Sequence, residues 1–339
     1  MKKILNIILP VVLIFSLSAC KKKNTDLSYR ALSKEINAYY KNVNTSKSGD
    51  DFILSLTKTI TKDYNSFSYS QCWNILAKAD EDPYNSDNIV CAYSGVSINK
   101  KDHGVWNREH TWAQSHGINK KGDAYTDCHH LTATEAKINE SRGNLDFGLV
   151  SDYSETFLSD NYGNKWIKDV VFEPRDEVKG DVARKLFYMV ARYNDNEYLD
   201  LTLVNTKTTT SSDGKGSLGY LDTLLKWHYE DPVSKEEIDR NEVVYSYQNN
   251  RNPFIDHPEW VNKAFRSKYA NYKVDSKKVK NVISAINSLS DSVTLEDENS
   301  INNALALMDE LNYQEKLYVN NYPKLSLLNR DLLHLKSLS

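Results

Sequence analysis

Trp106-Asn107-Arg108-Glu109-His110-Thr111-Trp112, then Asp127-Cys128-His129-His130-Leu131, then Asn139-Glu140-Ser141-Arg142-Gly143-Asn144 carry the chemistry of this 339-residue chain. Together they supply a base for neutral pH, hard oxygen donors and a cation. A histidine of ordinary pKa can take a proton from water near neutrality. Carboxylate and amide oxygens suit Mg²⁺, which offsets charge on phosphoryl and leaving oxygens. The fork of a guanidinium matches a phosphate. Hydrolysis of a phosphodiester needs these three things.

Each word alone has a blander reading, since a single Glu-His pair is most often structural. His110, His116, Cys128, His129 and His130 also offer the nitrogen and sulfur donors that zinc prefers. No Cys-x-x-Cys or His-Glu-x-x-His spacing supports zinc, and adjacent His129 and His130 would point opposite ways on a strand. One of that pair is then a packing or hydrogen-bonding residue.

Outward from these words, apolar positions at helical spacing (Leu32, Ile36, Tyr39, Tyr40, and Phe52 to Ile60) predict two amphipathic helices, and Ile89 to Tyr93 predicts a short strand stopped by Ser94-Gly95. Val182, Leu186, Met189 and Val190 share a face of a helix over 181–193, and the Thr/Ser/Gly-rich stretch 206–219 reads as a loop. Ser234-Lys235-Glu236-Glu237 has capping-box spacing and predicts a helix running to about Tyr247. From Asp275 the pattern changes to two or three amphipathic helices, carried by Val279 to Leu289, Ile301 to Leu311 and Leu325 to Leu332.

The chain has 43 basic and 46 acidic residues, a net charge of −3 and a pI of about 6.3, which excludes a uniformly cationic nucleic-acid coat. With 40% hydrophobic, 26% charged and 11% aromatic residues it reads as globular. At the start, Lys2 and Lys3 precede an apolar run from Ile4 to Phe15, interrupted by Pro10, and Leu17-Ser18-Ala19-Cys20 precedes three lysines. The run is short for a membrane span. It resembles a bacterial lipoprotein signal peptide over residues 1–19, which implies acylation of Cys20, a linker over 20–30 and a membrane-anchored protein at the cell surface. An exported setting oxidises free thiols, which disfavours a Cys128–His nucleophile. Cys72, Cys91 and Cys128 allow at most one intramolecular bridge; Cys72–Cys91 is the expected pairing, with three buried thiols as the alternative.

Further words follow in order: Phe172-Glu173-Pro174, Gly180-Asp181-Val182-Ala183-Arg184, Phe187-Tyr188-Met189, Trp227-His228, Asp231-Pro232-Val233, Glu237, Arg240-Asn241 and Gln248-Asn249-Asn250-Arg251-Asn252-Pro253-Phe254. With Asn107-Arg108-Glu109-His110, Asp127-x-His129-His130-Leu131 and Asn139-x-x-Arg142-x-Asn144, they resemble the endonuclease I family of exported bacterial nucleases. The resemblance implies an α+β fold, in which a ββα-metal (His-Me) finger sits in a largely helical domain, here over 31–270. A helical spacer or interaction module over 275–339 resembles an appendage of exported Gram-positive proteins.

Carried over residue by residue, the resemblance makes His110 the general base and Glu109 and Asn139 the ligands of one Mg²⁺, with Mn²⁺ or Ca²⁺ as substitutes. On a strand Glu109 and His110 project to opposite sides, so the finger must bend to bring them onto one phosphate. A helix from about Thr134 would set Asn139 and Arg142 on one face. Arg142 then either contacts phosphate or braces the finger through a carboxylate. Asn144 is a brace, and Asp127 and His129 orient base or metal. Arg108, Lys120, Lys121 and Lys137, with Lys100 and Lys101, form a local basic patch for the substrate backbone. The implied substrate is DNA, and often RNA, cut with little sequence preference by a monomer to leave 5′-phosphates. Two features depart from the family: Thr111 to Gly117 replace two apolar residues and a proline, and no arginine lies between Trp112 and Tyr125 to stabilise the cleaved phosphate. The competing reading is a catalytically weak or inactive surface lipoprotein that binds nucleic acid or a host surface.

Overall fold

The computed structural model describes residues 29–118, 120, 122–194, 199–211, 215–265, 275–316, 318, 319 and 321–338. The signal segment, Cys20 and Lys121 lie outside the described residues, as does the expected domain junction near 270–275. By contact the chain divides into Met1–Ala38 and Tyr39–Ser339. In the first unit the described element is α1 (Tyr29–Tyr39), which runs to its border.

The second unit begins with α2 (Gly49–Thr61), whose Phe52, Ile53, Leu56 and Ile60 are completely buried. After it come α3 (Cys72–Ala79) and an antiparallel sheet of β1 (Glu81–Asp82), β2 (Asn85–Val90) and β3 (Ser97–Asn99). The strand expected to reach Tyr93 stops at Val90. There the chain folds into a turn closed by Gly95 N donating to Cys91 O at 2.8 Å, with Gly95 at φ +71°.

Next, β4 (Trp106–His110), α4 (Asp123–Thr126), β5 (Leu131–Glu135) and α5 (Ala136–Arg142) form the part that positions the site. β4 and β5 pair antiparallel from Trp106↔Glu135 to His110↔Leu131. Because Thr134 and Glu135 complete that ladder, α5 starts two residues later than its sequence suggests. The face of α3 seals this hairpin: Cys72, Ile75 and Leu76 pack with Cys128 and Leu131.

β6 (Asp146–Phe147), β7 (Leu158–Ser159), β8 (Lys165–Ile167) and β9 (Val171–Glu173) make a sheet of order β6-β9-β8-β7. α6 (Lys179–Arg192) follows and is buried on nearly every face, so it is the centre of the core. β10 (Asp200–Val204) then pairs in parallel with β11 (Lys215–Gly219). The expected loop over 206–219 therefore ends in a strand. Its glycines looked like loop residues, but Gly216 is required by packing, since a Cβ there would lie 1.9 Å from the His116 carbonyl oxygen.

α7 (Leu221–Glu230) and α8 (Lys235–Gln248) come next. The capping box of α8 forms as its spacing predicts, Glu237 N donating to Ser234 Oγ at 3.1 Å and Ser234 N to Glu237 Oε2 at 3.3 Å. Glu237 also receives both ends of the buried Arg184 guanidinium, at 2.8 and 2.5 Å. Two short helices, α9 (Pro253–Asp256) and α10 (Trp260–Phe265), complete this part.

The tail holds α11 (Ser276–Asn287), α12 (Glu298–Asp309), α13 (Tyr313–Lys316) and α14 (Tyr322–Leu338). Val279, Val282, Ile286, Ile301, Ala304, Met308, Leu325, Leu328 and Leu332 are its buried apolar positions. The Tyr322 ring meets Tyr229 of α7 edge-on at 5.8 Å. No helix among the described residues is long and apolar enough to cross a membrane.

Candidate active site

A cleft of about 380 Å³ opens beside the hairpin, lined among others by Asn107, Arg108, Glu109, His110, Gln114, Asn139, Arg142 and Asn144. Glu109 and His110 thus share one cleft, although strand alternation would send them apart. His110 ends β4, where the ladder gives way to a turn.

His110 is 5% exposed, and its ring packs against those of Tyr69 and Tyr125, at 5.6 and 5.1 Å, the two tyrosine rings being 4.6 Å from each other. Its Nε2 is 3.0 Å from the Tyr125 carbonyl, and its Nδ1 is 3.0 Å from Gln114 Nε2. A carbonyl can only accept, so Nε2 carries the proton and Nδ1 holds the lone pair. Burial, helped by neighbouring His130, lowers the His110 pKa to about 3, so the ring is neutral at pH 7.

The Glu109 carboxylate is equally enclosed. Tyr93 donates to Oε1 at 3.1 Å and the Arg142 guanidinium lies 3.2 Å from the same oxygen, while none of the described bonds engages Oε2. Burial raises its pKa to about 7 against the lowering effect of Arg142 and Tyr93. From α5, Asn139 donates its Nδ2 to Asn107 Oδ1 at 2.6 Å, which leaves the amide oxygen as its remaining acceptor.

Arg142 is 1% exposed and donates to the carbonyls of His110 at 3.0 Å and Thr111 at 2.7 Å. Of its two expected roles, the contacts match the brace. Asn144 is exposed, and its carbonyl is 2.9 Å from His116 Nε2. His116 does not approach Glu109 or Asn139 through any described bond. It is buried, with Nδ1 2.9 Å from the Ser217 carbonyl, and so ties the turn after β4 to β11.

Asp127 is completely buried. It accepts from Tyr188 at 2.6 Å, Tyr193 at 2.9 Å, Gln248 at 2.9 Å and the His129 amide at 3.0 Å. Burial opposes its ionisation, but His129 and the Tyr188 hydroxyl hold its carboxyl below the usual range. His129 reaches the Asn250 carbonyl at 2.9 Å and His130 the Ala124 carbonyl at 2.7 Å. Among the described hydrogen bonds, neither Asp127 nor His129 joins His110 or Glu109. Their contacts instead hold the turn that follows α4.

These separate partners leave no zinc cluster: among the described residues no three His, Cys, Asp or Glu side chains gather closely enough to hold a metal. The Cys72–Cys91 pairing is also absent. All three cysteines are buried thiols, and Cys72 and Cys91 belong to different core clusters. The neighbour of Cys72 is Cys128, and both sulfurs donate to the Thr126 carbonyl, at 3.4 and 3.7 Å.

In the basic patch, Lys120 and Lys137 are exposed, whereas Lys100 is tied to Glu81 at 2.6 Å. Arg108 lines the cleft with its guanidinium 3.5 Å from the Tyr69 ring centroid and 4.2 Å from that of Trp73. Sequence reasoning missed Tyr93, Asn107, Gln114 and Tyr125. Of these, only Asn107 stood in a motif word with a signal of its own; the others touch the site through the fold.

The Endonuclease I family model matches residues 48–259. An extracellular ribonuclease of Bacillus amyloliquefaciens is 44% identical over 240 residues, covering 68% of this chain and 78% of the relative. An extracellular ribonuclease of Bacillus subtilis (strain 168) is 45% identical over 226 residues, covering 63% and 74%. The matched span contains the whole cleft, and on these grounds the chain belongs to the endonuclease I family of nucleases, hydrolases of phosphodiester bonds.

Proposed function

We propose that this nuclease is an exported, metal-dependent endonuclease of low sequence specificity that cuts RNA as well as DNA, held at the cell surface through acylated Cys20. The observation that carries the chemistry is the lone pair of His110 Nδ1 in the same cleft as Glu109 and Asn139. RNA enters because both relatives are named ribonucleases. Export rests on the signal-like start and on the word extracellular in those names.

In this reading His110 Nδ1 takes a proton from water, and the hydroxide formed attacks phosphorus as the bond to the 3′ oxygen breaks; that oxygen takes a proton from solvent, leaving a 5′-phosphate and a 3′-hydroxyl. Tyr125 keeps the opposite nitrogen protonated, so the imidazolium that forms stays bonded to its carbonyl. Arg142 fixes the backbone of His110 and Thr111 and holds Glu109. The donors facing the cleft, a carboxylate and an amide oxygen, fit a hard cation such as Mg²⁺, Mn²⁺ or Ca²⁺ better than zinc. Bound by Glu109 and Asn139, such an ion supplies Lewis-acid stabilisation of phosphate charge.

The test is digestion of plasmid DNA and of RNA by residues 21–339, with Mg²⁺ or chelator, beside His110→Ala. Cleavage of both substrates, stopped by chelator and lowered about 10²-fold or more in His110→Ala, is the expected result. Activity in chelator overturns the metal, and an active His110→Ala moves the base elsewhere.

A further inference from the structure

The turn after β4, where this chain departs from the family pattern, is fixed at several points. Trp112 Nε1 donates to the His116 carbonyl at 2.8 Å, and the His116 ring reaches the carbonyls of Ser217 and Asn144. Ser211 N donates to Ser115 O at 2.7 Å, and Gly117 N to Ser211 O at 3.0 Å. Gln114 stands in this anchored turn, half-buried in the cleft wall, four residues beyond the base.

The 3.0 Å contact between the Gln114 amide and His110 Nδ1 can run in one direction only. The Tyr125 carbonyl fixes the ring proton on Nε2. A neutral ring then shows Gln114 a lone pair, to which only its NH₂ can donate. The lone pair that would draw a proton from water is already engaged.

We propose that Gln114 is a positioning residue: it caps the His110 base in the substrate-free enzyme and gives the lone pair up to water when a phosphodiester enters the cleft. This rests on His110 being the base. The Tyr125 carbonyl holds the ring, and the cap shields Nδ1 from electrophiles. It also favours the resting state by one neutral hydrogen bond, so removing it speeds the reaction.

The test compares wild type with Gln114→Met, which keeps volume without a donor, and with Gln114→Ala. Without substrate, the rate at which diethyl pyrocarbonate modifies His110 is followed by peptide mapping. With RNA as substrate, kcat and KM are measured. Both variants are expected to react faster at His110 and to gain about two- to tenfold in kcat/KM, the factor that one ordinary hydrogen bond supports. An unchanged modification rate overturns the cap, and so does a loss of activity in both variants, which would assign Gln114 to the transition state. His110→Ala, assayed in parallel, tests the base itself. If it stays active the base reading fails, while the modification rates still report on the cap.

Discussion

The guanidinium of Arg142 lies 3.2 Å from Glu109 Oε1 while donating to the carbonyls of His110 and Thr111, so one side chain from α5 ties the carboxylate and the base-bearing strand end together. Both partners are almost completely buried. Removing one leaves an unpaired buried charge, so Arg142→Ala should lose about 3–5 kcal/mol of stability in urea unfolding. Arg142→Lys keeps the charge but loses the fork, and should still cut activity strongly. Equal stability of Arg142→Ala and wild type would contradict the brace.

Glu109→Gln and Asn139→Ala each remove one oxygen donor from the proposed cation site. Calorimetric titration with Mg²⁺ or Mn²⁺ should show affinity weakened at least about tenfold in each, with His110→Ala close to wild type. Unaltered affinity in both donor variants would place the ion elsewhere.

Lys120 and Lys137 are exposed and should meet substrate phosphates without base preference. In Lys120→Gln/Lys137→Gln, the slope of log KM against log salt should fall by roughly 0.7–0.9 for each lysine–phosphate pair removed, similarly on RNA and DNA. The same slope in wild type and variant would assign the patch to solvent alone.

Acid should destabilise the fold between about pH 6.5 and 4. Burial lowers His110 to about 3, His129 and His130 to about 4, and His228 well below its ordinary value. In that window the unfolded chain binds protons at four histidines that the folded chain leaves neutral, so stability falls as pH falls. Glu109 and Glu237, raised to about 7 by burial, and Asp231 and Asp256, also raised by burial, keep protons in the folded state and oppose the trend. The histidine share is read from the difference between wild type and a histidine variant. The melting temperature should drop across this range, and His129→Gln should flatten the slope whatever it does to the absolute value.

The tail helices meet α7, where Tyr322 packs on Tyr229. A chain ending at residue 270 exposes Tyr229 and should melt lower, while kcat on RNA stays within about twofold of wild type, because among the described residues none lining the cleft comes from the tail. A loss of kcat would give the helices a catalytic part.

Much of this was legible in the sequence where one segment decides its own structure. The apolar stripe of α2 and the Ser234–Glu237 box of α8 needed no distant partner, and the motif words at 107–110 and 139–144 stood out by residue type. The rest depends on residues far along the chain. Asp127 stands in a motif word, but its partners Tyr188, Tyr193 and Gln248 are 61 to 121 positions away and carry no local signal. The strand at 215–219 carries two glycines and becomes a strand only by pairing with β10. Gln114 has no pattern of its own, and its role follows from the turn that holds it.

The bond from His116 to the Ser217 carbonyl spans 101 residues. Closing so long a loop is entropically slow, so the turn beneath the cleft should be among the last parts to set. The wall of the cleft that Gln114 belongs to is then expected to set only once β11 has paired with β10, so refolding followed by amide exchange should show this turn protected later than the β4–β5 hairpin.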